Sequence, residues 1–263
     1  MPELPEIETI VRELAPALAG RLIRDVEFLS RLILLDPPQA GMDFLRGRCI
    51  ISLIRQGKFI VCRVDRGFLT FHLGMTGKLL LDSGKGPYTR AVFALDSGSL
   101  RFDDIRQFGR IEWGECVPAR VERLGADPLS ISASEFIRQV RRHSGHIKPL
   151  LLNQTFLAGL GNIYTDEVLH RAGIHPRTRA TRLGRERCLR LHRAIVEVLS
   201  LAIEHRGSSI SDYVDASGRQ GSFQLLHQVY GKPGQPCPRC GTPIRRIVIA
   251  QRGTHFCPDC QKH

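Results

Sequence analysis

Four cysteines stand in two Cys-x-x-Cys pairs, Cys237-Pro-Arg-Cys240 and Cys257-Pro-Asp-Cys260, with sixteen residues between them. Each pair can turn two sulfurs toward one ion, so together they have the spacing of a tetrahedral four-thiolate zinc site. A pair of redox dithiols is the rival reading, but no thioredoxin-like βαβ context surrounds either pair. Between the knuckles, Ile244, Ile247 and Ile249 are interleaved with Arg245, Arg246 and Arg252, which reads as a β-hairpin. A unit this small has little core of its own, and one structural zinc ion would supply the energy that a core would otherwise provide. Cys49, Cys62, Cys116 and Cys188 are scattered and read as ordinary buried thiols.

From Lys232 to the end there are six Lys or Arg against the single acid Asp259, so the hairpin is expected to lie on phosphate. Within Gln251-Arg252-Gly253-Thr254, a turn at the glycine would present Arg252 at the fingertip. A merely solvated arginine would look the same at this level.

The whole chain shares this bias. Lys and Arg number 38 against 26 acids in 263 residues, a net charge of +12, and a polyanionic partner is expected. Charge by itself does not separate a binding protein from an enzyme. With 42% hydrophobic and 24% charged residues the composition is globular, and no apolar run is long enough for a membrane span. The start Met1-Pro2-Glu3 lacks a secretory pattern, so a cytoplasmic, nucleoid-associated protein is expected.

The elements that must position these groups divide near residue 130. Before it, Cys49 to Ile54, Phe59 to Val64, Phe68 to Leu73, Lys78 to Leu81, Ala91 to Leu95 and Ser99 to Phe102 are β-prone and separated by Gly, Asp and Ser turns, a sandwich pattern. An amphipathic helix precedes them, with Leu4, Ile7, Val11, Leu14 and Leu18 at helical spacing and Glu3 and Glu6 in its first turn. After residue 130 the pattern is helical. Ser132 to Glu135 is a capping box before Phe136 to Arg142, Pro149 suits a helix start, and Gly159-Leu-Gly161-Asn162 leads into Ile163 to Arg171, ended by Gly173. Leu191, Ile195, Val198, Leu199 and Ala202 mark a longer helix. The Gly-x-Gly-Asn turn could offer amides to a phosphate, with Asn162 adding its side chain, although most such turns only connect. Gly207 to Gln220 is polar, lacks helical period and reads as a mobile loop.

These segments resemble the bacterial formamidopyrimidine-DNA glycosylase family, known as Fpg or MutM. The resemblance begins at Met1-PELPEIET and continues through Gln56-Gly57-Lys58-Phe59, His72-Leu-Gly-Met-Thr-Gly77, Asp104-Ile-Arg-Gln-Phe-Gly109, Ile147-Lys148-Pro149, Gly159-Leu-Gly-Asn-Ile-Tyr164 and Gln228-Val-Tyr-Gly231 to the zinc hairpin. It implies an α+β fold: an N-terminal β-sandwich flanked by helices (1–130), a C-terminal helix-two-turns-helix domain with a lesion lid loop (131–230), and a four-cysteine zinc hairpin (231–263). A monomer acting on damaged double-stranded DNA held in a cleft is implied. So is excision of oxidised purines, 8-oxoguanine and formamidopyrimidines, followed by β,δ-elimination at the abasic site.

The resemblance also carries roles onto particular positions. Pro2 matches the nucleophile, a secondary amine once Met1 is removed, able to attack the sugar C1′ and form a Schiff base. An α-amine has a substantial neutral fraction at cellular pH, unlike an ordinary Lys. Glu3 matches the acid/base, Lys58 the lysine of β-elimination and phosphate contact, and Arg252 the arginine of δ-elimination. Met75, Arg106 and Phe108 match the residues that fill the hole left by an extruded base, with Arg106 able to read the orphaned cytosine. Lys148 and Asn162 match phosphate contacts, and the 207–220 loop matches the lid over flipped 8-oxoguanine.

The chain departs from the family in places. Pro87-Tyr88-Thr89-Arg90 stands where many relatives have Lys-His-Asp-His, which puts Tyr88 at the position of a DNA-contacting His. Ile105 and Gln107 replace a common Pro and Arg. The endonuclease VIII type, directed at oxidised pyrimidines, usually starts Pro-Glu-Gly-Pro-Glu, whereas this chain has Leu4. A non-catalytic zinc-ribbon DNA-binding protein would explain charge and cysteines but has no use for a free Pro2 amine.

Overall fold

A computed structural model describes residues 1–35 and 42–263. Two compact units form: Met1–Arg123 together with His205–Ser222, and Leu124–Glu204 together with Phe223–His263. The first break therefore falls a few residues before the position near 130 that the composition indicates. The 205–222 segment groups with the first unit rather than with the helices that precede it.

In the first unit, Leu4–Leu18 forms α1, whose Leu4, Ile7, Val11, Leu14 and Leu18 are buried, as their spacing predicts, together with Ile10. Two antiparallel four-stranded sheets follow. One has the order β1 (Ile23–Phe28), β6 (Thr89–Leu95), β7 (Ser99–Asp104), β5 (Gly77–Leu81). The other has the order β2 (Ile50–Gln56), β3 (Phe59–Val64), β4 (Phe68–His72), β8 (Arg110–Gly114). Residues of both sheets and of α1 share one core, in which Phe71 of β4 meets Phe93 of β6 edge-on with centroids 5.6 Å apart. The α1 helix packs against β2 and β3. A four-residue helix, α2 (Ala119–Glu122), closes the unit's main stretch.

Two strands have no counterpart among the β-prone segments. In β1 three of six residues are charged (Arg24, Asp25 and Glu27), so its period-2 signal is faint. In β8 the inward Ile111 and Trp113 alternate with Arg110 and Glu112, a clean alternation that is only five residues long.

In the second unit, α3 (Ala133–Arg141) begins at Ser132, whose hydroxyl accepts from Glu135 N. The helix expected to start at Pro149 starts at Ile147. Pro149 is the third residue of α4 (Ile147–Leu152), in the first turn, where its missing N–H has no intrahelical partner to lose. Then α5 (Asn162–Ala172) ends on Gly173 at φ +67°, a left-handed cap, and α6 (Arg185–Glu204) is the long helix. Gln154 fixes the two turns between α4 and α5, donating to Leu152 O and Leu160 O and accepting from Gly159 N. The chain closes with a hairpin, β9 (Arg245–Ile249) and β10 (Arg252–Phe256). No helix among the described residues is long and apolar enough to cross a membrane.

The segment read as a mobile loop is densely bonded within its unit. Asp215, fully buried, accepts from the guanidiniums of Arg206 and Arg219 and from the backbone N–H groups of Ser217 and Arg219. Tyr213 and Ala216 belong to the sandwich core. Asp215, Ser208 and Ser209 are taken up by bonds within the unit, a pattern that composition alone cannot distinguish from solvation.

Candidate functional site

At the head of α1 the chain is bound at both ends of one carboxylate. Glu6 accepts from Glu3 N at 2.7 Å through Oε2 and from Ser208 N at 2.7 Å through Oε1. Glu6 is almost wholly buried, Glu3 nearly so, and Pro2 is buried while Met1 is exposed. Gly207 lies against the same carboxylate: a Cβ there would come within 2.6 Å of Glu6 Oε1, and its φ is +77°. One side chain thus fixes both the Pro2-Glu3 segment and the start of the 207–220 loop. The sequence marks Glu6 only as a helix-favouring acid at the third helical position, so its long-range bond to Ser208 could not be read there.

Lys58 sits in the two-residue turn of the β2–β3 hairpin, after Gly57 at φ +58°, and is mostly buried. His72, paired with Phe59 across β3 and β4, faces the same cationic surroundings. Burial, then the charges of Arg120, Lys58 and Arg110, push its imidazole down to about 4, so it is neutral at physiological pH.

Met75 is brought against Arg106 and Phe108, which lie on a later stretch of the chain. The Arg106 guanidinium lies 3.3 Å from Met75 Sδ and 4.7 Å from the Phe108 ring centroid. Met75 and Phe108 are both more than 40% exposed, which is unusual for large apolar side chains on a sandwich. Buried Asp104 holds the loop beneath them: it accepts from Thr76 Oγ1 and from Gly109 N at 2.7 Å, and Thr76 Oγ1 in turn accepts from Arg106 N. Gly74, at φ +58°, lies so close to the Phe108 backbone that a Cβ would approach it to 2.5 Å. Tyr88 is exposed in the turn before β6, and its carbonyl accepts from Asp104 N at 2.9 Å. Ile105 is exposed beside the cluster, and Gln107 sits at φ +53° with its Oε1 accepting from Ser30 Oγ.

In the second unit, the hairpin turn is Ala250-Gln251, at φ +47° and +58°, rather than the glycine the sequence suggested. Both central residues are left-handed, as a two-residue primed turn requires. Exposed Arg252 is the first residue of β10, so it still stands at the tip. Gly253 lies inside the strand, and its carbonyl accepts from Asn162 Nδ2 at 2.9 Å and from Lys148 Nζ at 3.4 Å. Lys148 has no solvent exposure, and its ammonium bonds Asp166 Oδ1 at 2.6 Å. The two groups expected to reach for phosphate are therefore turned inward here, onto the backbone beside Arg252, because a buried ammonium must be paired.

Asp166 and the adjacent Glu167 fasten the rest. Asp166 Oδ2 accepts from His255 N at 2.8 Å, while Glu167 accepts from the backbone N–H groups of Gln228, Val229 and Tyr230. Burial pushes the Glu167 carboxyl up, opposed by those three donors. Consecutive acids inside a buried helix of a strongly basic chain were the available signal for both, and the sequence reading did not use it.

The sulfurs of Cys237, Cys240, Cys257 and Cys260 all lie within 4.8 Å of one another, with Cys240–Cys257 at 3.4 Å and Cys237–Cys260 at 3.8 Å. Tetrahedral zinc with Zn–S bonds of about 2.3 Å needs sulfurs about 3.8 Å apart, so the donor set fits a structural zinc ion with no position left for substrate. His170 Nε2 lies 3.4 Å from Cys237 Sγ, a further tie between α5 and the metal knuckles. Among the other cysteines, Cys62 and Cys188 are buried as expected, Cys49 is half-buried and Cys116 is exposed.

Family models match along the chain: the formamidopyrimidine-DNA glycosylase N-terminal domain over residues 1–111, the formamidopyrimidine-DNA glycosylase H2TH domain over 124–214, and a zinc finger found in FPG and IleRS over 234–262. The formamidopyrimidine-DNA glycosylase of Solibacter usitatus is 54% identical over 264 residues, covering 100% of both chains. The crystal structure of the MutM (FPG) protein of Thermus thermophilus superimposes with a TM-score of 0.89 at 41% identity, covering 99% of this chain and 98% of that one. A Lactococcus lactis FPG mutant in complex with Fapy-dG containing DNA gives 0.90 at 36% identity, covering 100% of each chain.

Proposed function

Because the chain belongs to the formamidopyrimidine-DNA glycosylase family, we propose that it excises oxidised purines through its own Pro2 amine. It is a DNA glycosylase and abasic-site lyase of base excision repair. The observation that carries this reading is the exposed Met75–Arg106–Phe108 cluster on a locked backbone. An enzyme that extrudes a base must fill the vacancy in the stack, which calls for an apolar wedge beside a donor that can satisfy the orphaned partner.

In the full chain Met1 acylates Pro2, whose nitrogen is then an amide without a usable lone pair. Removal of Met1 exposes a secondary amine at the end of the segment that Glu6 holds through Glu3 N. That amine attacks C1′, the C1′–N9 bond breaks, and the base departs with a proton. Glu3 handles the proton at the sugar, opening the ring to an iminium on Pro2. The iminium acidifies the C2′ hydrogen; its loss expels the 3′-phosphate, and a second elimination expels the 5′-phosphate. Lys58 and Arg252 supply cationic hydrogen bonds to those phosphates as charge develops. Lys148 and Asn162 act at one remove, by fixing the Gly253 backbone and so the base of Arg252. Tyr88 offers a phenol at the same end of the sheet as the Asp104 loop. The zinc ion holds the knuckles from which the hairpin rises and takes no part in the chemistry. A DNA substrate would associate the protein with the nucleoid.

Borohydride reduction on a duplex containing 8-oxoguanine opposite cytosine tests the reading. The expected result is a protein–DNA adduct that peptide mapping assigns to residue 2, absent when Met1 is retained. An adduct mapped to Lys58, or trapping that survives Met1 retention, overturns the role of Pro2.

A further inference from the structure

The second unit carries a cavity of about 700 Å³ that the reading above leaves without a role. Arg177, Arg179, Arg182, Arg187, His146 and Thr178 line it. Its frame is fixed by backbone bonds from Ile147 N to Thr178 O at 2.8 Å and from Ala180 N to Gly145 O at 2.9 Å. Arg187 is held by its donation to Lys262 O at 2.9 Å.

Three features mark it as a built site rather than a solvated basic surface. Among the described residues none of these four guanidiniums has an ion-pair partner, although neighbours just outside do: Arg171 pairs with Glu197, and Arg190 with Glu186. Thr178 is 2% exposed, yet its hydroxyl has no hydrogen-bond partner. A buried hydroxyl left so is costly, and an incoming acceptor would relieve it. Finally, burial and the neighbouring Arg190 charge disfavour the charged form of Arg187, and a bound anion would reverse that strain.

We infer that this Arg177–Arg187 pocket is a phosphate-binding site, separate from the Arg252 tip. Guanidinium forks match the oxygens of phosphate in paired hydrogen bonds, and four of them with a buried hydroxyl suit an anion of more than one charge. The phosphate comes either from free phosphate or pyrophosphate, or from DNA backbone beyond the damaged nucleotide. The inference does not rest on Pro2, since neither arm of its test reads base excision.

The test uses the zinc-loaded full chain and Arg179→Gln/Arg182→Gln, two exposed positions whose loss should leave the melting temperature unchanged without ligand. In the first arm, pyrophosphate should raise the melting temperature of the parent and have little effect on the variant. In the second, the slope of log affinity against log salt for a long undamaged duplex should become shallower by about 2 in the variant, with a short duplex unaffected. A response in the first arm alone assigns free phosphate; in the second alone, backbone phosphate; in both, a pocket that takes either. Arg179→Lys/Arg182→Lys should restore the salt slope but only part of the pyrophosphate effect, because the charge returns without the fork. No response in either arm overturns the site. Stabilisation by polyglutamate equal to that by pyrophosphate, lost in the same variant, would assign a carboxylate ligand and overturn the phosphate assignment.

Discussion

Lys148 Nζ and Asp166 Oδ1 are 2.6 Å apart, and neither side chain has any solvent exposure. The lysine belongs to α4 and the aspartate to α5, and each reaches on to β10, through Gly253 O and His255 N respectively. The pair is thus the joint between the helix-two-turns-helix and the zinc hairpin.

Asp166→Asn should leave a buried ammonium without its counter-charge and cost about 3 to 5 kcal/mol. Thermal melting of the zinc-loaded protein would register the loss, and affinity for abasic duplex should fall as Arg252 loses its fixed base. The paired replacement Lys148→Met/Asp166→Leu should recover much of the stability but not the affinity. Recovery of both would show that Arg252 needs no such anchor.

Arg106 is the group we propose as reader of the base opposite the lesion. Cytosine offers O2 and N3 as acceptors to a guanidinium, whereas adenine presents an amino donor, a difference of about 1 to 3 kcal/mol. Arg106→Ala should lower excision of 8-oxoguanine opposite cytosine and flatten the cytosine-to-adenine ratio in single-turnover assays. Trapping on single-stranded abasic DNA should be nearly unaffected. A ratio that stays put would move the selectivity to Phe108 or to DNA deformability.

Zinc removal should unfold the hairpin while sparing the sandwich, because metal binding and folding are one equilibrium in so small a unit. Chelation or Cys257→Ser is expected to abolish tight DNA binding with the core transition of the first unit intact. Circular dichroism and a gel-shift titration would check both halves. Undiminished affinity in a metal-free sample would remove the hairpin from the interface.

Acid should destabilise the fold before carboxylates titrate. His72 and His227 are each pushed down to about 4, first by burial and then by nearby cations, while an unfolded histidine titrates near 6.5. Between those values the unfolded chain binds more protons, so stability is full above pH 6.5, falls as pH drops, and levels off for this contribution below pH 4. The expected loss is on the order of 1 to 3 kcal/mol per histidine, discounted for partial solvent contact. Denaturant midpoints across the window check it, and His72→Gln should flatten the curve.

Legibility in the sequence followed range. Local spacing sufficed for the α1 stripe, six of the eight sandwich strands, the Gly173 cap and the zinc knuckles, since each depends on residues within a turn or two. Motif resemblance supplied Pro2, Glu3, Lys58, Met75, Arg106, Phe108 and Arg252 as candidates. What neither could supply are bonds that close long loops: Glu6 to Ser208, Asp104 under the Arg106 loop, Asp166 to His255, and Glu167 to the 228–230 backbone. A carboxylate's partner two hundred residues away leaves no local period. The inward turn of Lys148 and Asn162 was hidden for the same reason.

Gly74 touches the Phe108 backbone where no Cβ would fit, and Gly109 is similarly pressed against Phe102 and Asp104. The loops 72–77 and 104–109 are consequently one mechanical part made from two stretches of chain. Over evolutionary time an insertion in either would displace the other, so length changes in the two should arise jointly or not at all. Anyone transplanting the Met75–Arg106–Phe108 cluster into another sandwich would have to move both segments as a single cassette.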